Sequence, residues 1–279
     1  MNAPDRFALP DIQSLADLRN QPINRVGIKG LRYPVRLQMA DGSVQSTVAR
    51  IAMTVALPAE VKGTHMSRFV EVLESTDIAL DFASLRNITM QMLSRLGAVE
   101  GDIEFAFPCF IRKAAPVSRV QSLLDYDAVL RTSVRQGSGY AVEVEVCVAA
   151  TSLCPCSKEI SEYGAHNQRS HIIIAAELGG DMAVEELVRI AEEEASCEVY
   201  GLLKRPDEKY VTERAYDNPK FVEDLVRDVA ARLNAEPRIE RYTVTAENFE
   251  SIHNHSAFAE VTRDKRAKVE TGAGARTAA

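Results

Sequence analysis

The feature that most constrains the fold of this chain is an order of elements that occurs twice. Two β-type segments, two helical segments and two further β-type segments follow one another in each half. A parallel α/β sheet would instead alternate strands with helices. The doubled order predicts an α+β protein of two tandem ββααββ units with antiparallel sheets and helices on one face. Because exposed sheet edges are usually paired or covered, it also favours an oligomer.

The first half shows clear local signals. Its first two β-type segments flank Asp41-Gly42, a dipeptide typical of hairpin turns. Helical patterns follow at residues 65–76 and 82–97, and the second places its apolar residues on one stripe. Two extended runs, at 102–113 and 117–130, close this half.

The second half opens with a strand at 140–148, in which valines alternate with other residues. Gly137-Ser138-Gly139 before it is interpreted as a turn. A strand at 170–178 and a helix at 184–195 follow, and a second helix is predicted to begin at Asn218-Pro219. The polar stretch 202–225 is interpreted as a long functional loop with three candidate acids, Glu208, Glu213 and Glu223.

These patterns divide the chain into four parts. Residues 1–24 form a polar, proline-bearing arm, and residues 25–131 form the first unit. Residues 132–262 form the second unit and carry most of the candidate site. The remainder, 263–279, is charged and then rich in Gly and Ala, which predicts disorder.

The composition excludes several classes of protein. A net charge of -7 argues against a general nucleic-acid or membrane-surface protein. No stretch approaches the roughly 18 apolar residues of a membrane span, and the first residues lack an apolar signal core. The chain is therefore expected to be cytoplasmic. A reducing compartment disfavours a disulfide scaffold for its five cysteines.

The densest polar segment is TSLCPCSKEISEYGAHNQRSH. It places Cys154, Cys156 and His166 in one connection, with His171 just beyond. Thiolate and imidazole are good zinc ligands, and a catalytic zinc site takes three protein ligands and a water. A redox dithiol and a closed structural zinc site are the alternatives, and the residues alone do not choose among them. The other cysteines are interpreted as packing residues: Cys109, Cys147 and Cys197.

Two further segments carry candidate functional groups. Glu247, Glu250, His253 and His255 lie together, and histidine is the natural proton shuttle near neutral pH. At the entrance to the first helix are three basic residues, Lys62, His65 and Arg68. Backbone N–H groups favour anions there, so a phosphate site and a solvated helix start are equally compatible with the sequence.

Four segments taken together resemble the type IB GTP cyclohydrolases, the prokaryotic family that starts folate synthesis. They are SLCPCSKEIS…YGAHNQRSH, KGTHMSRF, RPDEKYVTE and NFESIHNH, and the resemblance runs from about Leu9 to Val261. It implies a tunnelling fold and a homotetramer with active sites at subunit interfaces. The implied reaction, typical of hydrolases of cyclic amidines, converts GTP and water to 7,8-dihydroneopterin triphosphate and formate.

The resemblance also implies roles for individual residues. Cys154, His166 and Glu208 would hold a divalent metal, zinc or manganese, and Glu223 would anchor guanine. His253, with Glu250, would transfer protons, and Cys156 would be a second site residue of unsettled role. The implied triphosphate contacts are Lys62, His65, Arg68 and Arg169.

Two other functions compete with this one. A 7-cyano-7-deazaguanine reductase of the same fold would use a cysteine nucleophile and a nicotinamide cofactor. A non-catalytic zinc-binding module would close its site with Cys154, Cys156, His166 and His171.

Overall fold

The computed structural model describes residues 13, 15–75 and 79–267. Its strands are β1 Ile23–Gln38, β2 Val44–Leu57, β3 Ala79–Leu80, β4 Gly101–Ala114, β5 Gln121–Arg135, β6 Gly139–Leu153, β7 Asn167–Leu178, β8 Cys197–Glu198, β9 Ile239–Asn248 and β10 Ala257–Asp264. Its helices are α1 Met66–Glu74, α2 Phe82–Leu96, α3 Pro155–Ile160, α4 Val184–Glu194, α5 Arg205–Asp217 and α6 Val222–Ala235.

The strands form one ten-stranded sheet in the order β10-β9-β7-β6-β5-β4-β2-β1-β3, with the short β8 beside β6. All the long strands pair antiparallel. The expected α+β architecture and its doubled element order are confirmed. The second half adds two helices, α3 and α5, that the sequence analysis does not predict.

The helices cover one face of this sheet, as predicted. Ile172 and Ile174 of β7 are buried, whereas Ile173 between them is 36% exposed. This alternation follows from the two-residue period of a strand. Helices α4 and α6 contact β6, β7, β9 and β10, and α2 packs on β4 and β5. The core therefore lies between the sheet and its helices.

A tight turn joins the two halves of the sheet. Gly137 and Gly139 have φ of +88° and +79°, which is the left-handed region that glycine adopts without strain. They connect β5 to β6 directly, so the interpretation of this segment as a turn is confirmed. The expected boundary between residues 131 and 132 falls inside β5. Most of the expected arm, and the tail from residue 268, lie outside the described residues.

The prediction of a long loop at 202–225 is wrong, because most of this stretch is helix α5. The predicted start of the next helix is wrong as well. Asn218 instead ends α5, and its side-chain amide donates to the carbonyl oxygens of Ala195 and Ser196. The N-cap of α6 is Phe221, whose N–H donates to the Asp224 carboxylate at 3.2 Å.

A buried ionic cluster ties the two halves together. Lys113 Nζ on β4 lies 2.8 Å from Glu192 Oε1 of α4 and 2.6 Å from Glu198 Oε2 of β8. Tyr126 also donates to Glu192 at 2.7 Å. Burial raises the pKa of the Glu192 carboxyl, so this group depends on its partners to stay ionised.

Replacing Lys113 with methionine is expected to lower the free energy of unfolding by about 3 kcal/mol, because two carboxylates would lose their buried cation. Urea unfolding would measure the loss. Lys209→Met is the matched control, since Lys209 pairs with Glu213 in solvent and such pairs contribute little. Equal unfolding midpoints for the two variants would contradict a stabilising role for the cluster.

Candidate active site

The candidate site lies where three central strands end. Leu153 and Asn167 form the last pair of the β6–β7 ladder. On the other side of β7, Asn248 pairs with Ser170. The N–H of Phe249 then donates to the Arg169 carbonyl at 2.9 Å. The segments that follow β6, precede β7 and follow β9 are thereby held at one end of the sheet.

Cys154 and His166 face each other across this end. The N–H of Cys154 donates to the His166 carbonyl at 3.2 Å. Cys154 is also the N-cap of α3, and its Sγ accepts the Ser157 N–H at 3.5 Å. The Ser157 hydroxyl in turn accepts the His166 N–H at 3.2 Å. The start of α3 therefore fixes both predicted ligands at the backbone.

The His166 ring points toward two acceptors. Its Nδ1 lies 2.8 Å from Gln168 Oε1 and 3.8 Å from Glu250 Oε2. The side chains of His166 and Glu250 are only 13% and 14% exposed. Glu250 therefore lies beside the His166 ring, and its role in the site stays a prediction. Gln168 does not appear among the predicted residues, although it lies two residues after His166 in the densest polar segment of the sequence.

A buried polar network stiffens the strands beneath the site. The Ser152 and Ser170 hydroxyls lie 2.6 Å apart, and Ser170 donates to Asn248 Oδ1 at 2.7 Å. These residues come from β6, β7 and β9 and are at most 3% exposed. Satisfied networks of this kind rigidify a structure. The strand ends are therefore held in fixed register.

Glu208 lies on the first turn of α5, with its side chain in solvent. The adjacent Asp207 anchors this helix by accepting the N–H groups of Val117, Ser118 and Lys204, each at 2.8 Å. Desolvation would raise the pKa of Asp207, but the Ser118 hydroxyl, which donates to it at 2.6 Å, and these N–H groups hold that pKa well below its usual range. The helix start is thereby fixed to the turn between β4 and β5.

One turn after Glu208, Thr212 lines a cavity of 210 Å³ together with Asn167 and Arg169. Glu208 is thus on the helix that faces the start of β7. Among the residues that the structure describes, however, no three His, Cys, Asp or Glu side chains are grouped closely enough to hold a metal. Cys154 and His166 are brought together, and the Glu208 carboxylate is not grouped with them.

Glu223 is placed near the same end of the sheet by the start of α6. The N–H of Lys220 donates to the Leu153 carbonyl at 3.1 Å, next to Cys154. Glu223 lies just beyond it, in the first turn of α6, and is exposed. Cys156, in the first turn of α3, is exposed too.

The remaining histidines differ in their surroundings. His253 and His255 are exposed after β9, with stacked rings 5.1 Å apart. The His171 ring packs edge-on against Phe249 at 4.9 Å. A closed zinc site that includes His171 therefore has no counterpart among the described residues.

Three of the four predicted triphosphate contacts lie at the opposite end of the sheet. Successive strand pairs join Val55 to Gly101, Gly101 to Val134 and Val134 to Tyr140. The end of β2 is therefore level with the start of β6. Since β6 has 15 residues at about 3.3 Å each, the end that carries Cys154 is about 45 Å away.

Lys62, His65 and Arg68 follow β2 at this far end. The Arg68 guanidinium lies 3.5 Å from the carbonyl of Arg95, just before β4 begins. Lys62 and Arg68 are exposed, and His65 is partly buried as the N-cap of α1. Of the four predicted triphosphate contacts, only Arg169 is at the Cys154 end of the same chain.

Comparison with known proteins identifies the family. The family described as type I GTP cyclohydrolase FolE2 matches residues 9–259. The chain belongs to this family. GTP cyclohydrolase FolE2 1 of Dechloromonas aromatica is 62% identical over 261 residues, covering 94% of this chain and 98% of that protein. GTP cyclohydrolase FolE2 of Paraburkholderia xenovorans is 60% identical over 261 residues, covering 94% and 97%.

Among solved structures, a uricase from Bacillus fastidious matches with a TM-score of 0.53. The match covers 88% of this chain and 94% of that one at 10% identity, so it bears on the fold alone. It confirms the tunnelling fold. The FolE2 match confirms the resemblance to type I GTP cyclohydrolases, while the IB subdivision stays a prediction. Within the described residues, no helix is long and apolar enough to cross a bilayer.

Proposed function

We propose that this chain hydrolyses GTP to 7,8-dihydroneopterin triphosphate and formate, the first step of folate synthesis. The observation that carries the proposal is the Cys154–His166 pair, held at one end of the central strands in a member of the FolE2 family. The chain is an enzyme of the cyclohydrolase class, acting on the cyclic amidine of guanine.

Two donor groups at the site are of the kinds that a divalent metal takes. Cys154 offers a partly exposed thiol, and the contact of His166 Nδ1 with Gln168 leaves Nε2 available. Glu208 is the proposed third ligand, which requires its exposed carboxylate to turn toward the strand ends. A bound zinc or manganese ion would supply a water of lowered pKa as nucleophile. A sulfur, nitrogen and oxygen set suits zinc without excluding manganese.

The neighbouring groups account for the proton transfers. Opening the guanine imidazole ring requires proton delivery to its ring nitrogens after attack at C8. Glu250 is mostly buried beside His166, and His253 follows it in the exposed segment after β9. Histidine is the usual proton shuttle of enzymes, and the exposed His253 ring is open to both solvent and substrate. Cys156, in the first turn of α3, is proposed as a further site residue.

Glu223 is proposed to select the base. Its carboxylate can accept two parallel hydrogen bonds, from guanine N1–H and from the exocyclic amino group. Adenine lacks this pair of donors. Glu223 lies in the first turn of α6, just after the hydrogen bond from Lys220 to Leu153, and this position supports the assignment.

The triphosphate contacts are proposed to come from two chains. Arg169 lies at the Cys154 end, whereas Lys62, His65 and Arg68 are at the other end of the sheet. A second copy could present its own basic segment to the site. This supports an interface active site in a homo-oligomer, which we propose to be a tetramer of the IB type located in the cytoplasm.

The proposal is tested with metal-stripped protein that is given zinc or manganese and then GTP or ATP. Pterin fluorescence after oxidation should appear with GTP and metal only. In the Glu223→Gln variant, kcat/KM for GTP is expected to fall about a hundredfold, because one amide oxygen replaces two acceptors. Glu213→Gln, which alters an exposed carboxylate on α5, is the control. A folded protein that binds GTP but yields no fluorescence would refute the proposal.

The reductase alternative predicts no pterin fluorescence from GTP in this assay. A nicotinamide-dependent enzyme would reduce 7-cyano-7-deazaguanine and would retain its activity in the presence of a chelator. The zinc-module alternative predicts four protein ligands. It also predicts that Glu223 variants change nothing except stability.

A further inference from the structure

Gln168 contacts the His166 ring through its side-chain amide. The residue is 8% exposed and lies on the helix-covered side of β7, as Ser170 does. Its Oε1 is 2.8 Å from His166 Nδ1, a full hydrogen bond. Glu250 Oε2, at 3.8 Å, is too far for one.

This contact decides which ring nitrogen carries the proton. A carboxamide oxygen only accepts hydrogen bonds, so Nδ1 must donate to it. The neutral ring then has its lone pair on Nε2. Histidines that bind metals usually have the other nitrogen fixed by an acceptor in this way, and such partners govern metal affinity.

We propose that Gln168 is a positioning residue, which holds His166 as an Nε2 donor for the divalent metal. The inference rests on the proposed metal-dependent function. Because Gln168 satisfies Nδ1, the Glu250 carboxylate is not consumed in orienting the ring. Glu250 stays available to exchange protons with substrate.

Both partners of this contact are fixed by their surroundings. The backbone of Gln168 pairs with Ser152 of β6, within the buried Ser152–Ser170–Asn248 network. The backbone of His166 is held by Cys154 and by the Ser157 hydroxyl. The distance between the amide and the ring is therefore set by the sheet before any ligand arrives.

The test measures zinc affinity by competition with a chromophoric chelator. Gln168→Met keeps the length and volume of the side chain but removes the acceptor, and should weaken zinc binding 10- to 100-fold, an estimate typical of such partners. Gln168→Glu restores an acceptor and should return affinity to within about threefold of the wild type. Gln45→Met is the control, since Gln45 also bridges two strands through its bonds to Phe110, away from the site.

A second readout needs no metal. Two-bond ¹H–¹⁵N NMR correlations of the metal-free protein, above the titration range of imidazole, should show the His166 proton on Nδ1. In Gln168→Met the proton should shift toward Nε2, which free imidazole side chains favour. A wild-type proton on Nε2, or unchanged zinc affinity in Gln168→Met, would overturn the role of Gln168 alone. Zinc binding that is insensitive to His166→Ala would instead remove the metal site from the proposed function, and this inference with it.

Discussion

Replacing His166 with alanine is expected to reduce kcat/KM for GTP on the order of a thousandfold, about 4 kcal/mol of transition-state stabilisation. The imidazole is one of the two predicted ligands that the structure holds together, and its loss leaves Cys154 alone at the strand ends. Formate release and pterin fluorescence would be measured at saturating zinc and manganese. Bound metal per chain should fall in parallel.

The fold should survive this change. His166 lies in a connection outside the strands, and its backbone bonds to Cys154 and Ser157 do not need the ring. His171→Ala is the matched control, because that ring lies farther along the chain, in β7, and packs against Phe249. If His166→Ala retained both metal and activity while His171→Ala lost them, the assignment of the site would have to move along β7.

Much of the fold could be predicted because the strands and most helices carry strong periodic signals. The alternating valines of β6 match only the two-residue period of a strand. The apolar stripe of α2 matches only the period of a helix, about 3.6 residues. Helix α5 has no such stripe, since it buries only Asp207 and Ala215. Its usable signals were Pro206 in the first turn and the acid at 207 that caps the helix.

The start of α6 was mispredicted for a related reason. Asn218-Pro219 matches a helix start in sequence, but the same residues serve to end α5. The Asn218 side chain is used by the carbonyl oxygens of Ala195 and Ser196, which only the tertiary structure brings near. A local signal cannot distinguish these two uses.

Part of the candidate site could be predicted because its residues are close together in the sequence. Cys154 and His166 are near in sequence, and the β6–β7 pairing brings them together. Glu250 was singled out by its cluster with His253 and His255, whereas its proximity to His166 depends on the pairing of β9 with β7, which the sequence does not show. Gln168 was missed because a glutamine in a strand carries no pattern of its own.

Two inactive variants are expected to restore activity when they are combined in one oligomer. The first, Cys154→Ala, is defective at the end of β6. The second, Lys62→Ala with Arg68→Ala, is defective at the far end of the sheet, about 45 Å away. If each site draws its metal ligands from one chain and its basic segment from a neighbour, mixed oligomers contain intact sites.

The activity expected of the mixed oligomers follows from random assembly of the two variants. Each interface site has an even chance of an intact ligand set and an even chance of an intact basic segment, so about a quarter of wild-type activity is expected. Co-expression with two different affinity tags, followed by sequential purification, would isolate the mixed species. Pterin fluorescence from GTP would then be compared with that of each parent.

The control combines two defects in the same half, Cys154→Ala with His166→Ala. Such oligomers contain no chain with an intact ligand pair, so they should stay inactive whatever the arrangement of subunits. Restored activity in the first mixture and none in the second would assign the triphosphate contacts to a neighbouring copy. A first mixture no more active than its parents would mean that the basic segment does not complete a neighbour's site, and Arg169 would then be the starting point for mapping triphosphate contacts within one chain.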